Sequence, residues 1–376
     1  MRTRAAVIYA AEKPEPYADS QPLVVEDVEL EPPGAGEVLV EIVGAGLCHS
    51  DLSTVNGAIP YRMPTILGHE ASGIVREVGA GVKDLQPDDH VVFSFVPTCG
   101  HCLYCSIGRP ALCENGNRAV VAGTLLSGAV RFRTQDGKPI SHYLGVSAFS
   151  QYTVVAQESL IKIEKAIPLE KAALFGCALI TGVGAVLNTA KVAAGEPVAI
   201  FGLGGVGLSA VMGAHLAGAF PIIAVDVLAS KFGLAKRLGA DITINAGEDD
   251  PVAAIRDATG GGVEYAFEAV GSAQVLAQAY KATRSGGKAI SIGVAHPSQQ
   301  LSIQAVTLVT QEKAVQGSFM GSSVPRRDIP RFIRLYQAGK LPIDELLSPT
   351  ISLEEINTGF DRLAQGSVVR QLLHFH

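Results

Sequence analysis

Apolar and polar positions change rhythm along the chain. From about residue 179 short apolar runs alternate with segments of helical period. The run Val198 to Phe201 predicts a strand, and a helical pattern follows to about Ala219. Further strands are predicted at Ile222 to Val225, Ile242 to Ile244, Val263 to Val270, Lys288 to Val294 and Ala314 to Met320. Helical stretches are predicted near Pro251 to Ala258 and over 272 to 284, with Gly286-Gly287 ending the latter. This alternation predicts a doubly wound parallel sheet over 179–319.

Before residue 178 the rhythm is different: short strand-like runs such as Glu37 to Val43, Gly73 to Val78 and His90 to Phe95 are separated by Gly, Pro and Asp. That pattern predicts a strand-rich first domain, 1–178. The end of the chain, 320–376, holds a helical run Ile329 to Ala338 and a strand-like end, and is expected to complete the first domain. The fold class is α/β.

The 376 residues, 48% hydrophobic and 18% charged, exclude a mainly disordered chain and favour two domains. A net charge of -6 is the wrong sign for a protein that embraces phosphate backbones, so nucleic acid is not an expected partner. Residues 197–219 carry no Asp, Glu, Lys or Arg, yet the glycine cluster inside them suits a buried strand, turn and helix better than a membrane span. The N-terminus has only a short apolar run before Glu12 and Lys13, and a cytoplasmic protein is expected.

Six cysteines without an export signal point to metal or catalysis. Cys99, Cys102, Cys105 and Cys113 are separated by two, two and seven residues. Four thiolates on one loop suit a closed tetrahedral zinc site; an iron–sulfur cluster is the rival, but its bacterial runs place a proline after the last Cys where Glu114 stands here. His101 lies in the loop as a solvent-facing residue, since four thiolates already fill the tetrahedron. Cys48 and Cys177 remain, and His69 in Gly68-His69-Glu70 completes a three-ligand set with an open position. An open position marks a catalytic zinc, as in the Cys₂His class. Two zinc ions per chain then account for all six cysteines.

Gly202-x-Gly204-Gly205-Val206-Gly207 follows a strand and opens a helix, and Asp226 stands nineteen residues beyond Gly207 at the end of the next strand. This is the layout of a dinucleotide site: glycines for the turn and close approach, a helix N-terminus for the pyrophosphate, an acid for the ribose diol. Asp226 disfavours a 2′-phosphate, which predicts NAD over NADP, with Lys231 nearby as the opposing charge.

Taken together, the motifs Gly68-His-Glu-Ala-Ser-Gly73-Ile-Val, the four-cysteine loop, Phe149-Ser-Gln-Tyr-Thr-Val154-Val, Gly176-Cys-Ala-Leu-Ile-Thr181-Gly and Phe201-Gly-Leu-Gly-Gly-Val-Gly-Leu208 resemble those of zinc-containing alcohol dehydrogenases of the medium-chain dehydrogenase/reductase family, over essentially the whole length. The resemblance implies a GroES-like catalytic domain beside a Rossmann domain. It implies catalytic zinc on Cys48, His69 and Cys177, with Asp51 and Glu70 as carboxylates near the metal. Ser50 matches the hydroxyl that meets the alcohol oxygen and takes its proton; His49 and Arg370 match cations for the pyrophosphate; Thr181 matches a residue beside the nicotinamide. Where many relatives carry a histidine that passes the proton outward, Ser53 stands, so His49, the ribose or water takes that part. Phe95 and Phe149 match pocket walls.

The resemblance implies an NAD-dependent oxidoreductase of primary aliphatic or aromatic alcohols and aldehydes, assembled as a homodimer or homotetramer. The glutathione-dependent formaldehyde branch is the alternative: it carries acids just after the segment reading Gly57 to Tyr61 and an Arg shortly after the fourth structural Cys, whereas here there is no such acid and Asn117 takes the place, with Arg118 adjacent. A catalytically silent zinc and nucleotide binder is a remote third reading, opposed by the complete ligand set with Ser50.

Overall fold

The computed structural model describes residues 1–375; His376, the last residue of the expected 320–376 segment, lies outside them. Contacts divide the chain into two compact units. One comprises Met1–Cys177, Val324–Pro330 and the chain from Leu347 onward; the other comprises Ala178–Ser323 and Arg331–Leu346.

In the first unit, strands Arg2–Ile8, Leu23–Leu30, Phe132–Arg133, Pro139–His142 and Thr65–Ile66 close a barrel. A second sheet runs Leu160–Ile163, His90–Phe93, Glu70–Val78, Glu37–Gly46, Leu372–His374, Ile351–Ser352, and Tyr152–Ala156 also pairs with Glu37–Gly46. Val38, Val40 and Ile42 alternate along Glu37–Gly46 and are fully buried, so their face of the strand meets the core. Phe93, Phe132 and Phe175 are also fully buried, each contributing about 1.5–3 kcal/mol through surface withdrawn from water.

The second unit is a six-stranded parallel sheet in the order Ile242–Asn245, Ile222–Asp226, Val198–Phe201, Val263–Glu268, Thr283–Ser291, Ala314–Gly317. In chain order this is 3-2-1-4-5-6, the doubly wound arrangement. Phe201, Ile223, Val225, Val263, Ala266 and Tyr280 pack a core under it. The uncharged stretch 197–219 resolves into strand Val198–Phe201 and helix Gly205–Ala217. No single helix among the described residues is long and apolar enough to cross a membrane.

Several sequence expectations need adjustment. The helix expected over 272–284 spans Ala273–Ala282, and the fifth strand begins at Thr283 instead of Lys288. Its register steps from Val263↔Thr283 to Tyr265↔Lys288, so Arg284 to Gly287 bulge out while the strand continues. The two glycines mark that bulge, with Gly286 at φ 80°, not a helix end. The sixth strand stops at Gly317 because a 3₁₀ turn follows at Phe319–Ser322. The helix expected from Ile329 already starts at Pro325, and Pro330 sits inside it.

Candidate zinc and dinucleotide sites

Cys48 ends the run that follows strand Glu37–Gly46 and precedes helix His49–Val55. Asp51, in the first turn, accepts from the Cys48 backbone N–H through Oδ2 at 3.1 Å. Its other oxygen accepts from the Gly68 N–H at 3.1 Å and lies 3.1 Å from His69 Nδ1. Asp51 is fully buried, so a single carboxylate ties the two chain segments together and fixes which edge of the imidazole faces inward. The opposite nitrogen, Nε2, is 3.3 Å from Cys177 Sγ. Gly68 has φ 90°, and a Cβ there would lie 2.6 Å from Phe149 Cδ1, so the turn that delivers His69 requires glycine.

The ligand atoms of Cys48, His69 and Cys177 all lie within 4.8 Å of one another, on three buried residues. The hydrogen bond with Cys177, aided by the charges of Arg370 and His69, holds the Cys48 thiol well below its ordinary value despite burial. Burial opposes protonation of His69, but Asp51 and Cys48 carry its value upward. Two soft thiols and an oriented imidazole without a disulfide are the donor set that zinc takes, and the residues fit that ion.

Around this cluster, Glu70 is fully buried and its Oε1 lies 3.5 Å from Arg370 Nε. Arg370 also donates to the Leu47 carbonyl at 3.0 Å. Ser50 Oγ is 3.9 Å from Cys48 Sγ, and His49 is exposed. The Phe95 ring stands edge-on to His69 at 5.5 Å. Phe149 is fully buried, its ring 6.1 Å from Phe360. Ser53 is half-buried in the helix.

Two residues that the sequence did not signal join the site. The Tyr143 hydroxyl donates to the Ser50 carbonyl at 3.1 Å and lies 3.1 Å from Thr54 Oγ1, and its ring is 5.9 Å from the His69 ring. Tyr143 is separated from Ser50 by 93 positions, so no local spacing connects them.

The second cysteine cluster is equally convergent: the thiols of Cys99, Cys102, Cys105 and Cys113 lie within 4.8 Å of one another. Backbone N–H groups of Cys99 and Gly116 both point at Cys113 Sγ at 3.3 Å, the contacts that a thiolate ligand accepts. His101 is exposed and bonds to the Cys99 carbonyl.

In the sheet unit, the glycine turn opens helix Gly205–Ala217. A Cβ on Gly207 would lie 1.7 Å from the Gly202 carbonyl oxygen, so the turn closes only with glycine there. Asp226 accepts from the Leu203 N–H at 2.7 Å and the Leu228 N–H at 3.0 Å, and Lys231 Nζ is 3.2 Å away. The acid thus braces the glycine turn itself. Thr181 is buried in helix Ala178–Gly184.

The family models agree with this geometry: an alcohol dehydrogenase GroES-like domain matches residues 34–165, and a zinc-binding dehydrogenase domain matches 205–338. Alcohol dehydrogenase class-3 of Cereibacter sphaeroides is 40% identical over 385 aligned positions, covering all of both chains. The chain belongs to the zinc-containing alcohol dehydrogenases of the medium-chain dehydrogenase/reductase family.

This zinc alcohol dehydrogenase is similar in structure to an alcohol dehydrogenase zinc-binding domain protein from Burkholderia ambifaria, with 36% identity, TM-score 0.93 and coverage of 100% and 99% of the two chains. It is also similar to benzyl alcohol dehydrogenase from Acinetobacter calcoaceticus, with 33% identity, TM-score 0.91 and full coverage of both. The chain is an NAD-dependent alcohol dehydrogenase that uses zinc and acts on small-molecule alcohols.

Proposed function

We propose that the chain interconverts primary aliphatic or aromatic alcohols and their aldehydes, with Cys48, His69 and Cys177 holding a catalytic zinc and Cys99, Cys102, Cys105 and Cys113 a structural one. In the same reading, 1–178 with 320–376 is the catalytic domain and 179–319 holds NAD, although by contacts Arg331–Leu346 fall within the sheet unit. The observation that carries it is the convergence of the Cys48, His69 and Cys177 donors on the Asp51 brace.

When bound, the zinc supplies Lewis acidity toward an alcohol oxygen and NAD accepts the hydride. The chain supplies the rest. Ser50, beside Cys48, receives the hydroxyl proton, and its backbone is held by the Tyr143 hydroxyl. Because Ser53 stands where relatives carry a histidine, the proton leaves by way of His49, the ribose or water. Phe95 and Tyr143, each with its ring against His69, give the site an aromatic lining that suits a benzylic or alkyl group. Asp51 orients the ligands through its contacts with the Cys48 N–H and His69 Nδ1, and Glu70, paired with Arg370, is the second carboxylate near the metal. Gly202, Gly204, Gly205, Val206 and Gly207 receive the pyrophosphate, Asp226 with Lys231 the ribose, His49 and Arg370 add positive charge, and Thr181 packs by the nicotinamide.

Arg118, exposed on helix Glu114–Ala122 after the fourth structural cysteine, favours a second reading in which a glutathione carboxylate is recognised and S-hydroxymethylglutathione is oxidised. A substrate panel decides between them: NADH formation with ethanol, hexanol, benzyl alcohol and S-hydroxymethylglutathione. Turnover of benzyl alcohol or hexanol supports the first reading, and turnover of the glutathione adduct alone replaces it with the second. No turnover of any of them, with NAD bound, would revive the silent binder. The reading includes a homodimer or homotetramer, which light scattering measures.

A further inference from the structure

The parallel sheet reverses its strand order between Val198–Phe201 and Val263–Glu268. Ligands of such sheets bind outside the carboxyl ends of the strands at this reversal. One lip of the crevice is the glycine turn. The other is the segment Ala269 to Ser272, and it is organised by Glu268, the last residue of its strand and 1% exposed. Glu268 Oε1 accepts three backbone N–H groups in succession, from Val270 at 2.8 Å, Gly271 at 2.6 Å and Ser272 at 3.2 Å. Its own carbonyl accepts from Ile292 and Gly293 at 2.8 and 3.0 Å, so the loop after the next strand hangs on the same residue.

This lip is built against the glycine turn. Glu268 is the register partner of Phe201, and the Ala269 N–H donates to the Phe201 carbonyl at 2.9 Å. A Cβ on Gly202 would lie 2.7 Å from Val270 Cγ2, and one on Gly293 would lie 2.2 Å from the Gly271 nitrogen and 3.0 Å from Glu268 Oε2. Three segments therefore meet at near-contact distance around one carboxyl, and Ser272 then caps helix Ala273–Ala282 through its hydroxyl. Burial raises the pKa of Glu268 and the three N–H groups only partly offset this. A buried acid held by backbone donors acts through its acceptor geometry more than through a field.

We propose that Glu268 is a positioning residue for the dinucleotide: its carboxyl gathers the Val270, Gly271 and Ser272 N–H groups, fixes the shape of the turn whose Val270 side chain packs against Gly202, and so sets the width of the crevice beside the glycine turn. This rests on the placement of NAD at Gly202 to Gly207 proposed above. Reach matters here more than charge. Glu268→Gln keeps the acceptor oxygen at full length, Glu268→Asp keeps the charge but withdraws the oxygen by one methylene, and Glu268→Ala removes both.

The test is NADH titration by fluorescence, with steady-state kinetics in varied NAD, on the zinc-loaded wild type and the three variants. Glu268→Gln is expected to bind NADH within about threefold of wild type. Glu268→Asp and Glu268→Ala are expected to bind roughly tenfold or more weakly, about 1.4 kcal/mol or greater. In those two the KM for NAD rises in step, while kcat at saturating NAD changes less than about threefold and zinc content is unchanged, a split that loss of structure alone does not produce. If Glu268→Ala fails to fold, the order of Gln against Asp decides. Asp and Ala variants that bind NADH like wild type overturn the inference, as does a Gln variant as weak as the Asp variant. A wild type that shows no NADH saturation sinks the cofactor placement and this inference together; a saturating wild type with indifferent variants sinks this inference alone.

Discussion

Asp51→Asn is the most informative single change in the candidate zinc site. The native carboxylate accepts from three donors, the Cys48 and Gly68 backbone N–H groups and His69 Nδ1, each at 3.1 Å. An amide of the same shape has only one acceptor. If its oxygen faces Gly68 and His69, its NH₂ meets the Cys48 N–H, donor to donor; turned over, it meets Gly68 and His69 instead. Either way at least one buried donor loses a charged partner, about 1.5–3 kcal/mol. Loss of a carboxylate that orients a ligating histidine costs about 10–100-fold in metal affinity or activity, the same range in energy. The variant is therefore expected to lose one of its two zinc ions to a competing chelator at roughly 10–100-fold lower chelator activity than wild type. Its kcat/KM for alcohol falls by a similar factor, and the four-thiolate zinc stays. An Asp51→Asn protein that keeps both ions under the same competition and turns over within twofold of wild type refutes the bracing role.

His142, fully buried beside Phe132, accepts from the Arg131 N–H through Nε2, and desolvation lowers its pKa to about 3. Its unfolded value is about 6.5, so between these the unfolded chain binds the extra proton and stability falls as pH falls from about 6.5 toward 3. By pH 4.5 this group alone costs about 3 kcal/mol; His142→Gln should flatten the slope of denaturant-derived stability by that amount, and parallel wild-type and variant curves would contradict it. Cys113→Ala removes the thiol that receives both backbone N–H groups in the four-cysteine loop, and is expected to lose one zinc per chain and several kcal/mol of stability; an unchanged melting midpoint would count against a structural metal there. Asp226→Ala frees Lys231 and removes the acceptor for the Leu203 N–H, so the ratio of kcat/KM with NAD to that with NADP should fall by roughly tenfold or more; an unchanged ratio would remove Asp226 from cofactor choice.

The family and the sheet were legible because they are written in local periodicity and in rare residue types. Strand, glycine turn, helix and strand follow one another within 198–226, and six cysteines with the histidine of Gly68-His69-Glu70 leave few ways to group. What was not legible depends on tertiary reach. Tyr143 attaches to Ser50 from 93 positions away, a separation that carries no pattern, and Thr54, one helical turn after Ser50 and bonded to its carbonyl, enters the site only because the same Tyr143 hydroxyl meets it. Gly286 and Gly287 read as a helix stop because two glycines punctuate either element, and only pairing with strand Val263–Glu268 turns them into a bulge. Glu268 is one acid among 36 Asp and Glu, and its three backbone partners become visible only when the strand end and the turn after it are seen together.

The central claim is that Cys48, His69 and Cys177 hold a zinc on which alcohol oxidation depends. The direct measurement is zinc per chain by elemental analysis on wild type and Cys48→Ala, each paired with NADH formation from benzyl alcohol or hexanol. The account predicts two zinc ions and turnover for wild type, and one zinc with turnover lost for Cys48→Ala in a chain that is still folded. A Cys48→Ala protein that retains two zinc ions, or that oxidises alcohol at the wild-type rate, contradicts it.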